Sequence, residues 1–164
     1  MSETSVHDEP VALPSRPFGR VARSVIGYAV GTAVMLVSPA FVFIPAALFH
    51  CGIRNGRMAS WLVLTLGALL SLPYYVPLAH LPGAGGPMAY ASLAALVLGI
   101  GIPALAALPL VERAEPFGKV LLFALAGSVG GLALVEAGGR LLFGFSPYLE
   151  QIARARETVV QYVG

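Results

Sequence analysis

The stretch that decides the fold is MASWLVLTLGALLSLPYYVPLAHLPGAGGPMAYASLAALVLGIGIPALAALPLV, residues 58–111, which contains no Asp, Glu, Lys or Arg. A second stretch without these residues covers positions 24–53. About 20 consecutive apolar residues cross the hydrocarbon core of a bilayer, and a Lys or Arg at its centre costs about 2.5–3.5 kcal/mol. The sequence therefore predicts an all-α fold, a polytopic helical membrane bundle.

The overall composition supports this class and argues against a nucleic-acid partner. The 164 residues are 57% hydrophobic and 11% charged, whereas a soluble domain carries roughly 25% charged residues. The net charge of +2 is too small to indicate nucleic-acid binding. The single cysteine, Cys51, excludes an intrachain disulfide and a CxxC pair, and is interpreted as a small buried apolar residue.

Motifs for catalysis and metal binding are missing from the sequence. We find no G-x-S-x-G, H-E-x-x-H or P-loop motif, and the three histidines are widely separated, without a carboxylate at ligand spacing. We therefore expect that the protein is not an enzyme and that it has neither a cofactor nor a metal site.

Residues 1–23 combine acidic residues and three prolines with Arg16, Arg20 and Arg23. This composition predicts a disordered tail that ends in a basic collar. Because positive residues next to membrane helices stay in the cytoplasm, the N-terminus should be cytoplasmic, in a bacterial inner membrane. The membrane domain is then 24–145, followed by a separate helix at 146–164.

The region 24–53 allows two arrangements: one long tilted helix, or a hairpin of two short segments broken near Ser38 and Pro39. A single span places six Lys and Arg residues inside and four outside, whereas a hairpin places seven inside and three outside, so the positive-inside rule favours the hairpin. The seven are Arg16, Arg20, Arg23, Arg54, Arg57, Arg113 and Lys119.

Three further spans are predicted at 59–79, 88–111 and 120–143, separated by a glycine-rich turn and a charged loop. The bundle therefore has four to five membrane segments, five if the hairpin forms. The segment GIGIP at 99–103 predicts a flexible or kinked point in its helix.

Two faces of the last span carry different residue types. Gly127, Gly131 and Gly138 share one face, a small-xxx-small pattern that serves either packing within the chain or a dimer interface. Glu136 and Arg140 lie on the opposite side, four residues apart, inside an apolar span. They form either an interfacial ion pair or a substrate-binding or proton site.

The C-terminal segment should form an amphipathic interfacial helix. Ser146 is suited to the N-cap and Pro147 to the first helical position. After them, apolar and polar residues separate onto two sides, as in a helix that lies in the plane of the membrane surface. The alternative is a helix that caps the bundle or continues toward a missing partner.

Two stretches carry a family resemblance: PAFVFIPAALFHCGIRNGRMASWLVLTLGALL at 39–70 and GIGIPALAALPLVERAEPFGKVLLFALAGSVGG at 99–131. With the amphipathic helix that follows, they resemble the YybS-like family of uncharacterised bacterial membrane proteins over about residues 25–163. Members of that family are roughly twice as long, so the chain resembles their N-terminal half.

That family is similar in layout to the substrate-binding subunits of energy-coupling-factor vitamin transporters, which bind a small molecule and dock on a shared membrane subunit. The resemblance implies solute binding or transport. In those subunits a small-xxx-small face on the first helix docks the partner, and the matching residues here are Ala29 and Ala33.

Two functions follow as hypotheses. The first is a small-solute binding or transport component that uses Glu136 and Arg140. The second is a non-catalytic membrane scaffold or assembly partner. The expected partners are the lipid bilayer and either another membrane subunit or a second copy of the chain.

Overall fold

The computed structural model describes residues 18–80, 85–144 and 146–163, and these residues form helices and turns without any strand. The prediction of an all-α fold is thus confirmed for this part of the chain. The helices are α1 (Phe18–Leu36), α2 (Ile44–Asn55), α3 (Arg57–Ala79), α4 (Gly85–Leu96), α5 (Ile102–Glu112), α6 (Phe117–Gly138) and α7 (Pro147–Val163).

Three helical stretches among the described residues are long and apolar enough to cross a bilayer: Arg57–Ala79, Gly86–Glu112 and Phe117–Leu142. They coincide with the three spans predicted after residue 58, and they indicate a multi-pass membrane protein. The apolar stretch Val21–Leu36 is shorter. Helix α1 begins at Phe18, six residues before the predicted start of the membrane domain, and residues 1–17 of the predicted tail lie outside the described part.

The region 24–53 is broken at the predicted position. Helix α1 ends at Leu36, Ser38 caps a short 3₁₀ turn (Pro39–Phe43) by accepting a hydrogen bond from the Ala40 amide, and α2 follows. At the other end of α2, Asn55 Nδ2 donates to Ser24 Oγ over 3.1 Å. Helix α2 therefore returns along α1, and the two helices form an antiparallel hairpin.

Helix α3 reverses direction again and lies parallel to α1. The reversal occurs at Gly56, whose φ of 90° favours glycine. Thr32 of α1 lies so close to Gly67 of α3 that a Cβ atom there would be 2.9 Å from the Thr32 side chain. Further along, the buried Tyr75 hydroxyl donates to the Leu36 carbonyl over 2.7 Å. Tyr75 thus connects the ends of α1 and α3.

A π-helical turn (Val97–Gly101) joins α4 to α5, at the point where the sequence predicts a kink. Pro103 explains its position, because the proline ring excludes the carbonyl of the residue four positions earlier, Gly99. Neighbouring helices approach closely at this turn. A Cβ atom on Gly101 would be 2.7 Å from Leu64 of α3, and one on Gly131 of α6 would overlap the Leu98 carbonyl.

The antiparallel and parallel contacts give the bundle two distinct ends. At the arginine end, Arg57 of α3 forms an ion pair with Glu112 of α5, and Lys119 pairs with Glu115. Ser24 and Asn55 lie at the same end. The opposite end, which we call the α7 end, contains the α1–α2 break, the end of α3 and the start of α7.

Candidate functional site

The start of α7 is fixed by the residues that the sequence singles out. Ser146 Oγ accepts a hydrogen bond from the Leu149 amide over 3.2 Å, so Ser146 is the N-cap and Pro147 is the first helical residue, as predicted. Ser146 Oγ in turn donates to Glu136 Oε1 over 2.5 Å. Glu136 Oε2 accepts from the Tyr148 amide over 3.2 Å. The negative charge of Glu136 therefore lies at the N-terminus of α7, where it interacts favourably with the positive end of the helix dipole.

Arg140 completes this cluster. Its Nε donates to Glu136 Oε1 over 2.7 Å, so the two residues form the ion pair that their spacing permits. After Gly138, α6 continues into a π-helical turn (Gly139–Phe143) that contains Arg140, and Gly144 follows with a φ of 70°, which is favourable for glycine. The chain reverses there, which brings Ser146 back beside Glu136. Both carboxylate oxygens of Glu136 accept hydrogen bonds within the protein.

A cavity of about 670 Å³ lies at the α7 end. We call it the α7 cavity. Its walls come from the end of α1, the 3₁₀ turn, α3 and α4, and Gln151 of α7 lies at its edge. The lining residues are Leu36, Val37, Ser38, Pro39, Phe41, Tyr74, Tyr75, Leu78, Met88, Ala89, Ser92 and Gln151.

The chemistry of the α7 cavity is mainly apolar and uncharged. None of its described lining residues is ionised at neutral pH, and its polar groups are the hydroxyls of Ser38, Tyr74, Tyr75 and Ser92 and the amide of Gln151. The Tyr75 hydroxyl is already bonded to Leu36. Few polar groups on apolar walls are typical of pockets for small organic molecules. The arrangement suits a neutral, amphipathic solute.

A second cavity of about 330 Å³ lies beside another part of the α4 surface and contains the predicted site residues. Glu136 and Arg140 line it together with Tyr148 and Gln151, and α4 contributes small residues such as Ala95. Gln151 borders both cavities. The carboxylate of Glu136 accepts hydrogen bonds from Arg140, Ser146 and Tyr148. These bonds position the start of α7 beside the two cavities.

The small residues named from the sequence lie in different surroundings. Ala29 is buried where α1 meets α3, and its carbonyl would be 3.3 Å from a Cβ atom on Gly67. Gly127 and Gly131 face α4, α5 and the π-helical turn between them, which together we call the α4–α5 unit. The contacts are at Pro103 and Leu98 respectively. Their environment is packing within the chain.

Ala33 and Gly138 lie in more open surroundings. Ala33 is partly exposed on α1. A Cβ atom on Gly138 would have no neighbour within 4 Å among the described residues. The predicted glycine face of α6 therefore packs at two of its three positions.

Sequence reasoning missed the α7 cavity and most of its polar residues. Tyr74 was predictable only as an interfacial aromatic, and Ser92 and Gln151 carry no motif. The one sequence feature that could have indicated the cavity was the helix break at Ser38, because irregular backbone inside a membrane protein often lines a cavity.

No group of three or more His, Cys, Asp or Glu side chains that could hold a metal ion occurs in the described residues. Comparisons of the chain with protein-family models, with curated proteins and with solved structures find no match.

Proposed function

We propose that this chain is an integral membrane protein that binds a small, neutral, amphipathic solute in the α7 cavity, as a solute-binding or transport component. The observation that carries the proposal is the cavity itself. Its volume of about 670 Å³ falls within the range of roughly 300–1,000 Å³ typical of small-molecule sites. Its apolar walls and few hydroxyl and amide groups select against ionised solutes.

The proposed topology has five membrane segments: the two arms of the α1–α2 hairpin and the three long spans. The arginine end carries Arg23, Arg54, Arg57, Arg113 and Lys119, so the positive-inside rule places it in the cytoplasm of a bacterial cell. Helix α7 and its cavity then lie at the outer face of the inner membrane, where a solute arrives from outside.

The resemblance to the YybS-like family adds a partner to this proposal. A solute-binding component that docks on a second membrane subunit needs an outward helix face. On α1 the buried Ala29 is packed against α3, whereas Gly27 and Gly31 have open space beside them. Docking through α1 would therefore use its glycine side.

The test of solute binding is differential retention by the purified protein. The wild type in nanodiscs is incubated with an extract of cellular metabolites, washed, and analysed by mass spectrometry. Ser92→Trp fills the α7 cavity, and Leu70→Trp adds the same side chain to an exposed position on α3 outside the cavities. We expect a solute that wild type and Leu70→Trp retain and Ser92→Trp loses.

The three proteins should elute alike on size-exclusion chromatography, which excludes misfolding as the cause. Identical retained solutes in all three samples would contradict the proposal.

A second candidate function is that of a membrane scaffold or assembly partner. The exposure of the last span favours it. Only 11% of the most apolar segment of Phe117–Leu142 is buried within the chain, against 39% for the corresponding segment of Gly86–Glu112. Ala126, Gly130 and Ala137 are exposed on α6 and would allow close approach of another helix. A stable dimer in light scattering, with no retained solute, would support this function instead.

A further inference from the structure

A lateral groove of about 300 Å³ lies between α3 and the α4–α5 unit, apart from the α7 cavity. One wall is the face of α3 from Trp61 to Leu72, and the other includes Leu93, Val97 and Ile102. The only polar side-chain groups in its described lining are the Thr65 hydroxyl and the Trp61 indole N–H. Trp61 is about half exposed, so the groove opens sideways, toward the surrounding lipid.

The floor of the groove results from the π-helical turn. Leu64 is buried against Gly101, where a Cβ atom would lie 2.7 Å from its side chain. The glycine lets Leu64 turn inward, and the space in front of it remains open between the two walls. The groove is thus part of the way in which the helices pack.

The length of the groove matches one leaflet. From Trp61 to Leu72 the helix advances 11 residues, about 16 Å at 1.5 Å per residue. The hydrocarbon core is about 30 Å thick, so the groove extends over approximately half of it. An acyl chain of the leaflet at the arginine end would lie along its whole length.

Charge at the end of the groove complements a lipid headgroup. Arg57 lies one helical turn before Trp61, on the same side of α3. Its Nε bonds to Glu112 Oε2 over 2.6 Å, yet 53% of the side chain is exposed. A guanidinium has five N–H donors, so donors remain for a phosphate oxygen.

The surroundings of Arg57 add to this charge. Among side chains that the structure describes, the arginine end has five cations, Arg23, Arg54, Arg57, Arg113 and Lys119, and two carboxylates, Glu112 and Glu115. Basic pockets between membrane helices are favourable sites for anionic headgroups. The excess of positive charge therefore favours an anionic lipid over a zwitterionic one.

We propose that this groove binds an anionic phospholipid, with one acyl chain between Trp61 and Leu72 and its phosphate on Arg57. The site is independent of the α7 cavity and of any solute. A bound lipid would fill a gap in the bundle and connect α3 to α5 at the level of the Arg57–Glu112 ion pair.

Trp61 is the only tryptophan of the chain, so its fluorescence reports on the groove directly. The purified full chain is reconstituted in phosphatidylcholine vesicles that contain increasing fractions of brominated phosphatidylglycerol or brominated phosphatidylcholine. Bromine atoms on the acyl chains quench tryptophan on contact. We expect quenching by brominated phosphatidylglycerol to saturate at low mole fraction, and quenching by brominated phosphatidylcholine to rise gradually.

Two substitutions at the ion pair distinguish lipid binding from a structural role. Arg57→Gln removes a cation worth about 1 kcal/mol toward an anionic surface, so the preference for phosphatidylglycerol should fall about fivefold. Glu112→Gln frees Arg57 and should increase that preference. A purely structural ion pair would give the same change for both.

Ala68→Leu fills the groove and should weaken quenching by both lipids, whereas Ala46→Leu on the exposed side of α2 should leave it unchanged. Equal quenching by the two brominated lipids at every mole fraction would overturn the proposal. So would an unchanged preference in Arg57→Gln.

Discussion

Replacing Gly131 with alanine should destabilise the bundle by about 1–3 kcal/mol, the usual cost of overpacking a well-packed interior. The added methyl group would overlap the carbonyl oxygen of Leu98 and approach within 3.0 Å of the Gly99 amide nitrogen. Both obstacles are backbone atoms of the π-helical turn, and backbone cannot rotate away as a side chain does. The α6 helix must therefore move outward from the α4–α5 unit.

The adjacent residue offers a matched control. A Cβ atom on Gly130 has no neighbour within 4 Å among the described residues, so Gly130→Ala makes the same chemical change without a clash. Alanine favours a helix over glycine by up to about 1 kcal/mol, so this variant should be as stable as wild type or more stable. Unfolding of the three proteins in mixed micelles with increasing denaturing detergent measures the difference. Equal stability of the two variants would contradict the packing of α6 described above.

Replacing Glu136 with alanine should release the start of α7 from α6. The substitution removes the acceptor of the Ser146 hydroxyl and of the Tyr148 amide, together with the ion-pair partner of Arg140. Hydrogen exchange in nanodiscs should become several-fold faster at the first turn of α7, while the exchange of α3 stays unchanged. Retention of a solute by the α7 cavity should weaken too, because Gln151 borders that cavity.

Two further variants assign this effect to Glu136. Arg140→Ala leaves the bonds from Ser146 and Tyr148 to the carboxylate, so its effect on α7 should be smaller. Glu157→Ala removes an exposed carboxylate on α7 itself, far from its first turn, and should have no effect there. If Glu157→Ala accelerated exchange as much as Glu136→Ala, the carboxylate of Glu136 would not be what fixes α7.

The sequence predicts those elements of the fold that depend on local chemistry. The three long spans follow from charge-free runs, the break near Ser38 and Pro39 follows from a proline inside the apolar run 24–53, and the start of α7 follows from the Ser146–Pro147 pair. Each of these features is decided by residues that are neighbours in the chain.

Contacts between distant residues were not predictable in the same way. Tyr74 and Tyr75 are equivalent in the sequence, yet Tyr74 is exposed and Tyr75 is buried with its hydroxyl on Leu36. The ion pair of Glu136 with Arg140 follows from their spacing, but the bonds to Ser146 and Tyr148 depend on the chain reversal at Gly144. The α7 cavity is formed by four separate parts of the chain, so no local pattern indicates it.

The proposed topology, with the α1–α2 hairpin and three spans, has α7 on the opposite side of the membrane from the arginine end. It is tested most directly by labelling single cysteines in intact cells with a membrane-impermeant thiol reagent. The buried Cys51 is first replaced by serine, and the probes are Glu157→Cys on α7 and Ala114→Cys in the exposed turn after α5. We predict that Glu157→Cys is labelled in intact cells and Ala114→Cys only after permeabilisation. Labelling of both positions from the same side would contradict the account.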